Sequence, residues 1–477
     1  MKFRFLPFTI LSGLTLVVIP LPAAPSPAEV IPEMKRASTY FSGKVAVEGG
    51  YVYYYSPDLE KRLGEGVATA TEVWVQPPGT PAVGEAFLNA HEATGDEYYL
   101  AAALKAGRCL VYGQLESGGW RNSIDYDASG PRIDQYRNGK GKGNNFSTLD
   151  DDITQSALKF LIRLDRVTGF KESDVHEAVE YALKALLAAQ YPNGAFPQGW
   201  TGPVRARTVE KASLPAYDWR TEGRIKEYWN EYTLNDGLAG TVADTLISAH
   251  RVYEDPRYLK ALKQLGEFLL IAQLPEPQPG WAQQYSAEMH PIWARAFEPP
   301  AVSGRESEDA MLALLKIADY TKDQRFTAPI VAGVKYLERS LLPDGQLARY
   351  YELESNRPLY MIRGSGKGYE LSHDDSNLPD HYGWKNPVQL PLIKDAYRAV
   401  LAGRPMSELT TPAPVDAAGV ERILKSLDSK GRWISVHQNS GTRLVGQPEF
   451  EEGESYLSSA VFAENMNTLS RYVAAAK

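Results

Sequence analysis

The sequence predicts a mostly all-α protein whose helix pairs repeat around a ring, with some short β-strands near the C-terminal part. Three observations carry that expectation. A phrase recurs four times with variation: Gln114-Leu-Glu-Ser-Gly-Gly-Trp120, Gln190-Tyr-Pro-Asn-Gly-Ala-Phe196, Gln273-Leu-Pro275 drifting on to Gly280-Trp281, and Leu341-Leu-Pro-Asp-Gly345. The copies lie about 70 to 80 residues apart, each at the end of two stretches with apolar residues at three- and four-residue spacing. The chain has 477 residues, 43% of them hydrophobic, which is ample for one large domain and a smaller one. Consecutive helices joined by short turns alternate in direction, so the phrases gather at one end of the ring, where a groove can form.

The elements follow in order. Lys2 and Arg4 precede an apolar run from Phe5 to about Leu21 and then Pro22-Ala-Ala-Pro25. This is the pattern of a secretory signal over residues 1–24, and it implies a secreted or periplasmic product with no stable membrane insertion after cleavage. No later stretch is long and apolar enough to span a bilayer. Residues 25–80 read as loop-rich, with a tyrosine cluster from Tyr51 to Tyr55. Helix pairs are then expected at 85–95 with 96–114, 152–168 with 174–190, 238–253 with 258–273, and 306–322 with 326–341. Long loops at 121–147, 199–230 and 275–303 each follow the second helix of a pair and share one end, and loops of that length are usually functional. Past 341 the rhythm weakens: Arg349–Leu353 reads as a strand, 364–385 as a polar loop and 388–402 as a helix. Residues 25–403 thus form the ring domain, and 404–477 a linker with a mixed α/β cap.

Composition narrows the chemistry. The net charge of −8, without a basic tract, argues against nucleic acid as a partner. Cys109 is the single cysteine, so there is neither an intramolecular disulfide nor a cysteine metal site. The histidines are scattered without metal-ligand spacing, and no nucleophile elbow is present. Chemistry concentrates instead in clusters at the loop end: Ser147-Thr-Leu-Asp-Asp-Asp152, Thr233-Leu-Asn-Asp-Gly237, and Ala294-Arg-Ala-Phe-Glu298 followed by Ser303-Gly-Arg-Glu-Ser307. One acidic cluster alone reads as helix N-capping. Two in register, one per repeat, bring the carboxylates of Asp150, Asp152 and Asp236 towards one space, and oxygen-only ligands favour a hard cation, Ca2+ first. Guanidinium forks at Arg349 and Arg363 are natural receptors for carboxylates. A groove with calcium, arginines and aromatics suits a polymer of uronic acids.

Taken in order, these clusters resemble the family 10 polysaccharide lyases, which are calcium-dependent pectate lyases. The resemblance covers roughly residues 85–385. Gly118-Gly-Trp120 is similar to the family's first Gly-Gly-Trp. Thr148-Leu-Asp-Asp-Asp-Ile-Thr154 resembles its Thr-Ile-Asp-Asn-Asp-Ala-Thr, and Tyr191-Pro-Asn-Gly-Ala-Phe-Pro-Gln198 its Tyr-Pro-Asn-Gly-Gly-Trp-Pro-Gln. Leu234-Asn-Asp-Gly237 resembles Phe-Asn-Asp-Asp. Ala294-Arg-Ala-Phe-Glu-Pro-Pro-Ala-Val-Ser-Gly304 resembles Ala-Arg-Ser-Tyr-Glu-Leu-Pro-Ser-Leu-Ser-Gly, and Arg349-Tyr-Tyr-Glu-Leu-Glu-Ser-Asn-Arg-Pro358 is close to a later segment. The resemblance implies a partial (α/α) toroid and β-elimination from an acidic polysaccharide such as polygalacturonate; separately, a monomer is expected. It implies that Asp150 and Asp236 help to hold calcium, that Arg295 is the Brønsted base, and that Arg349 and Arg363 bind substrate carboxylates. Trp120, Phe196 and Arg305 complete the expected substrate contacts.

The chain departs from the family pattern at Gly237, where an aspartate is usual, and at Trp281-Ala-Gln-Gln-Tyr285, which lacks a His-Asp pair. Leu378-Pro-Asp-His-Tyr-Gly-Trp384 offers no arginine before its Tyr-Gly-Trp. An insertion of about 20 residues between Gly199 and Trp229 carries Arg205, Arg207, Arg220 and Arg224, which could replace lost contacts. Two other readings stay open from the residues: a hydrolase on the same toroid using paired carboxylates, and a non-catalytic uronan-binding protein.

Overall fold

The computed structural model describes residues 24–364, 368–438 and 450–477. The expected signal segment falls on residues 1–23, outside the described residues but for Ala24. Among the described residues no helix is long and apolar enough to cross a membrane. The helices are α1 (Pro27–Tyr40), α2 (Thr80–Thr94), α3 (Glu97–Gly113), α4 (Ile153–Val167), α5 (Ser173–Ala188), α6 (Leu238–Tyr253), α7 (Pro256–Ala272), α8 (Gly304–Thr321), α9 (Ile330–Arg339), α10 (Leu390–Leu401), α11 (Ser407–Thr410), α12 (Ala417–Ser426) and α13 (Ser459–Ala475).

They form a partial α/α toroid. Helices α13, α2, α4, α6, α8 and α10 touch in that order as the inner row, and α3, α5, α7 and α9 back them from outside. Local chemistry starts and stops the helices where the sequence provides for it. Asp96 caps α3 by accepting from the Tyr98 amide at 2.9 Å, and Asp255 caps α7 at Arg257, 2.8 Å. Gly95, at φ 74°, takes the left-handed residue that ends α2.

The repeated phrase has a mechanical role. Gln114 Nε2 donates to the Gly118 carbonyl inside its own turn and to the Ala178 carbonyl of the next outer helix, at 3.0 and 2.8 Å. Gln190 does the same to Gly194 and Ala261, at 3.0 and 2.9 Å. Gln273 does it to Pro279 and Pro329, at 2.9 and 3.2 Å. One glutamine thus fastens each of the first three turns to the following pair. Gly194 (φ 92°) is needed there: a Cβ would lie 1.8 Å from the Gln264 carbonyl oxygen. The aromatic that ends the phrase is core. Trp120 and Trp281 are fully buried, their indole N–H groups bonded to Leu110 and Leu269 carbonyls, and Phe196 is 1% exposed. Truncating such a residue costs about 3–5 kcal/mol.

Strands are short and recur at the loop end of successive repeats, rather than only near the C-terminal part. Glu72–Trp74 pairs with Ser123–Asp125, Ser147–Thr148 with Gly199–Trp200, Tyr232–Thr233 with Gln284–Tyr285, and Leu347–Ala348 with Lys385–Asn386, all antiparallel. Two-residue ladders leave no periodicity to read. Val302–Ser303, Tyr350–Tyr351, Pro358–Arg363 and Tyr369–Ser372 make a four-stranded sheet beside them.

Two segments differ from expectation. Residues 27–40 are helical, started by a Ser26/Glu29 capping box and a proline in the first turn, a signal present in the sequence but masked by Pro32. The C-terminal segment, expected as a cap, supplies α13 to the inner row against α1 and α2. Its strand Ser455–Ser458 sits between Ile434–Val436 and Tyr54–Tyr55.

Candidate active site

Two turns of the same shape enter two neighbouring inner helices. Thr148-Leu-Asp-Asp-Asp152 leads into α4, and Thr233-Leu-Asn-Asp-Gly237 leads into α6. The amide of each threonine donates to the carbonyl of its repeat aromatic, Trp120 or Phe196, at 3.0 Å. Asp151 (φ 47°, ψ 36°) and Asp236 (φ 50°, ψ 37°) occupy the same left-handed position, followed by left-handed Asp152 (φ 60°) and Gly237 (φ 70°). Side chains in that region carry strain of about 1–3 kcal/mol, and such strain concentrates at functional sites. The turns touch, and carboxylate oxygens of Asp150, Asp151 and Asp236 all lie within 4.8 Å of one another.

Asp152, expected as a ligand, is not part of this group. The chain turns at Asp151, which sends the next carboxylate to Lys159 on α4, 3.3 Å away. Asp151 takes its place. The position-by-position match of the two turns pairs Asp151 with Asp236 and is legible in the sequence.

The cluster is electrostatically uncomfortable. Burial first, then the Asp236 charge, raise the pKa of Asp150. Burial together with Asp150 and Asp236 pushes Asp151 up to about 7. Nearby partners steady the turns: Gln76 Nε2 donates to Asp151 at 3.1 Å, and Asn235 Nδ2 to Asp236 at 2.5 Å.

Each arginine at the site is held by its own glutamate. Arg295 Nη2 meets Glu298 Oε1 at 2.5 Å, and the Arg295 amide donates to Glu298 Oε2 at 2.9 Å. Burial works against the charge of Arg295, but the hydrogen bond and charge of Glu298 outweigh it, and its pKa lies above the ordinary arginine value. The Arg295 charge also acts on Asp150 and Asp151, lowering both. Glu298 further accepts from the Tyr382 hydroxyl at 2.9 Å. Arg349, expected to bind substrate, is 2% exposed. Its Nη2 pairs with fully buried Glu306 at 2.8 Å, reaches Asn235 Oδ1 at 3.3 Å and lies 3.7 Å from Asp236. It therefore braces the second turn from below.

Trp120 and Phe196 are core residues instead of sugar platforms, for the reason given by the repeat. Arg363 is exposed over the Tyr369 ring, 4.7 Å from its centroid, and Arg305 is half-exposed, 3.7 Å from Asp309. Several residues escaped the sequence reading as site members. Gln283 Oε1 accepts from Tyr350 at 2.5 Å and Tyr382 at 3.3 Å, and Gln284 Nε2 donates to the Tyr228 carbonyl at 2.5 Å. Tyr228, half-buried at the close of the insertion, feels the charges of Glu298, Arg295 and Asp150.

A family match supports reading the chain as a polysaccharide lyase. Residues 114–347 match the family model for pectic acid lyase. Among solved structures the chain is similar to a family 10 polysaccharide lyase from Cellvibrio cellulosa, at 21% identity over 66% of this chain and 97% of that one, TM-score 0.46. A mutant of a family 10 polysaccharide lyase from the same organism, in complex with trigalacturonic acid, is similar at 18% identity over 67% and 97%, TM-score 0.44. A cellobiose 2-epimerase from Bacillus thermoamylovorans is similar at 14% identity over 93% and 98%, TM-score 0.47. No curated protein matches the chain.

Proposed function

We propose that this protein is a pectate lyase, cleaving polygalacturonate or a related uronan by calcium-assisted β-elimination to leave 4,5-unsaturated ends. The observation that carries the reading is the meeting of Asp150, Asp151 and Asp236 beside Arg295. Three carboxylates converging, with Arg349 reaching only Asp236 at 3.7 Å and itself paired with Glu306, fit a hard divalent cation. Calcium bound there would act as a Lewis acid on a substrate carboxylate and steady the enolate-like charge that forms when the C5 proton leaves. Arg295 is the group assigned to that proton. In the free protein Glu298 keeps its guanidinium charged, so acting as base requires substrate binding to draw the two apart. Arg363 and Arg305 offer exposed cations to neighbouring carboxylates, while Arg349 and Glu306 hold the turn that carries Asp236. The protein acts outside the cytoplasm in this reading, after loss of residues 1–24.

The test follows absorbance of the conjugated uronate with polygalacturonate, with calcium and with chelator, for the unaltered protein, Arg295→Ala and Asp150→Ala. The reading expects a rise that needs calcium and is lost in both variants. Reducing ends appearing without that absorbance would sink it in favour of hydrolysis.

A further inference from the structure

The insertion brings four arginines near the site, and the structure separates their uses. Arg207 forks onto Glu231, with Nη1 to Oε2 at 2.7 Å and Nη2 to Oε1 at 3.1 Å. Arg220 pairs with Glu352 at 2.6 Å. Arg224 lies flat on Trp293, 3.8 Å from the ring centroid. Arg205 is exposed, and among the described residues it has no hydrogen-bond or ion-pair partner. It opens into a cleft of about 540 Å³, a volume within the range of small-molecule sites.

That cleft is joined to the acidic cluster through both of its walls. One wall runs through Pro197 and Gly199, on either side of Gln198. The Gln198 carbonyl accepts from the amide of Leu149, the residue before Asp150, at 2.7 Å. The other wall is Glu227 and Asn230, on either side of Tyr228 and Trp229, and the Gln198 amide donates to the Trp229 carbonyl at 3.0 Å. The floor is Tyr191, whose hydroxyl is tied to the Asn230 carbonyl at 2.6 Å.

We propose that this cleft is a distal subsite for one uronate residue of the polymer, with Arg205 receiving the sugar carboxylate. The proposal rests on the uronan reading above. A polyuronate carries a carboxylate on every ring, so a groove that extends beyond the reaction centre needs an uncommitted cation for each ring it holds. Of the cations lining this cleft, Arg205 is the one not already paired, and it offers a planar fork suited to a carboxylate. Glu227 and Asn230, already bonded to each other at 3.1 Å, present an acceptor and a donor to ring hydroxyls. Glu227 is the one acid among the residues that line the cleft, and Arg207, itself paired with Glu231, adds a second positive charge to the lining.

The experiment compares tri- and hexagalacturonate on the full protein with calcium, by calorimetric binding and by kcat/KM, for Arg205→Ala, Arg205→Lys and Arg205→Glu. A lost charge-assisted contact is expected to weaken hexamer binding about tenfold for Arg205→Ala, more for Arg205→Glu, with partial retention in Arg205→Lys. Trimer binding and kcat stay as they were. An unchanged hexamer affinity, or an equal loss for both lengths, overturns the subsite. If the unaltered protein binds neither oligomer, the uronan reading itself fails and takes the subsite with it.

Discussion

Replacing Glu298 by glutamine separates the two things Arg295 could do. Glutamine keeps the shape and can still accept from Tyr382, but removes the charge that holds the guanidinium protonated. For charge centres about 4 Å apart at an effective dielectric of about 20, the attraction is about 4 kcal/mol. Arg295 is 42% exposed, so solvent screening reduces this to about 2 kcal/mol, or about 1.5 pH units at 1.36 kcal/mol per unit. If Arg295 takes the C5 proton, the acid-side limb of the kcat/KM profile should move down by about that amount in Glu298→Gln. On the limb the neutral fraction then rises about 30-fold, offset in part by a weaker base. The assay is the pH profile of unsaturated-product formation at saturating calcium, with thermal unfolding of both proteins alongside. A limb that stays in place in a variant of unchanged stability would refute the base assignment and leave Arg295 as a fixed cation.

Arg349→Ala should destabilise the protein by about 3–5 kcal/mol, because it strands buried Glu306, whereas Arg363→Ala should leave the denaturation midpoint alone and weaken uronate binding. Equal midpoints for the two variants would return Arg349 to a substrate role. Burial pushes Glu308, 1% exposed and bonded to the Gln389 amide, from 4.5 up to about 7. The folded chain therefore binds a proton that the unfolded chain releases between those values, and stability falls as pH rises through that window. Glu308→Gln should flatten this slope, worth at most about 3 kcal/mol, in denaturant titrations at stepped pH.

The toroid was legible because a buried helix pair repeats its apolar spacing and because each turn must be fastened in the same way. Gln114, Gln190 and Gln273 are one contact written three times. Terminal pieces break that logic. α13, far along the chain, packs on α1 and on α2, and no local periodicity reports such a contact. At the site, residue types were read more easily than directions. The acidic triplet was evident, but which aspartates converge depends on a left-handed turn at Asp151. The alignment with Asp236 would have shown it. Arg349 has the right chemistry for a substrate carboxylate and the wrong surroundings, since Glu306 lies 43 residues away in sequence and meets it only through the fold.

The charges around the cluster explain why a cation belongs to the proposed mechanism. Arg295 is matched by Glu298 and Arg349 by Glu306, so neither pair offers net charge to the aspartates. The amino ends of α4 and α6 lend only partial positive charge, on the order of half an elementary charge each. Asp150, Asp151 and Asp236 therefore remain largely uncompensated, and burial first, then the neighbouring carboxylates, push Asp151 up to about 7. A polyuronate brings further carboxylates to the same place. Bare approach of like charges at these distances is repulsive, and the exposed arginines stand at the rim, outside the cluster. A divalent ion seated among the three oxygens would offset most of that negative charge and offer an incoming carboxylate a direct cationic ligand. It also lowers the negative charge felt by Arg295, which is the direction a guanidinium must be pushed before it can take up a proton.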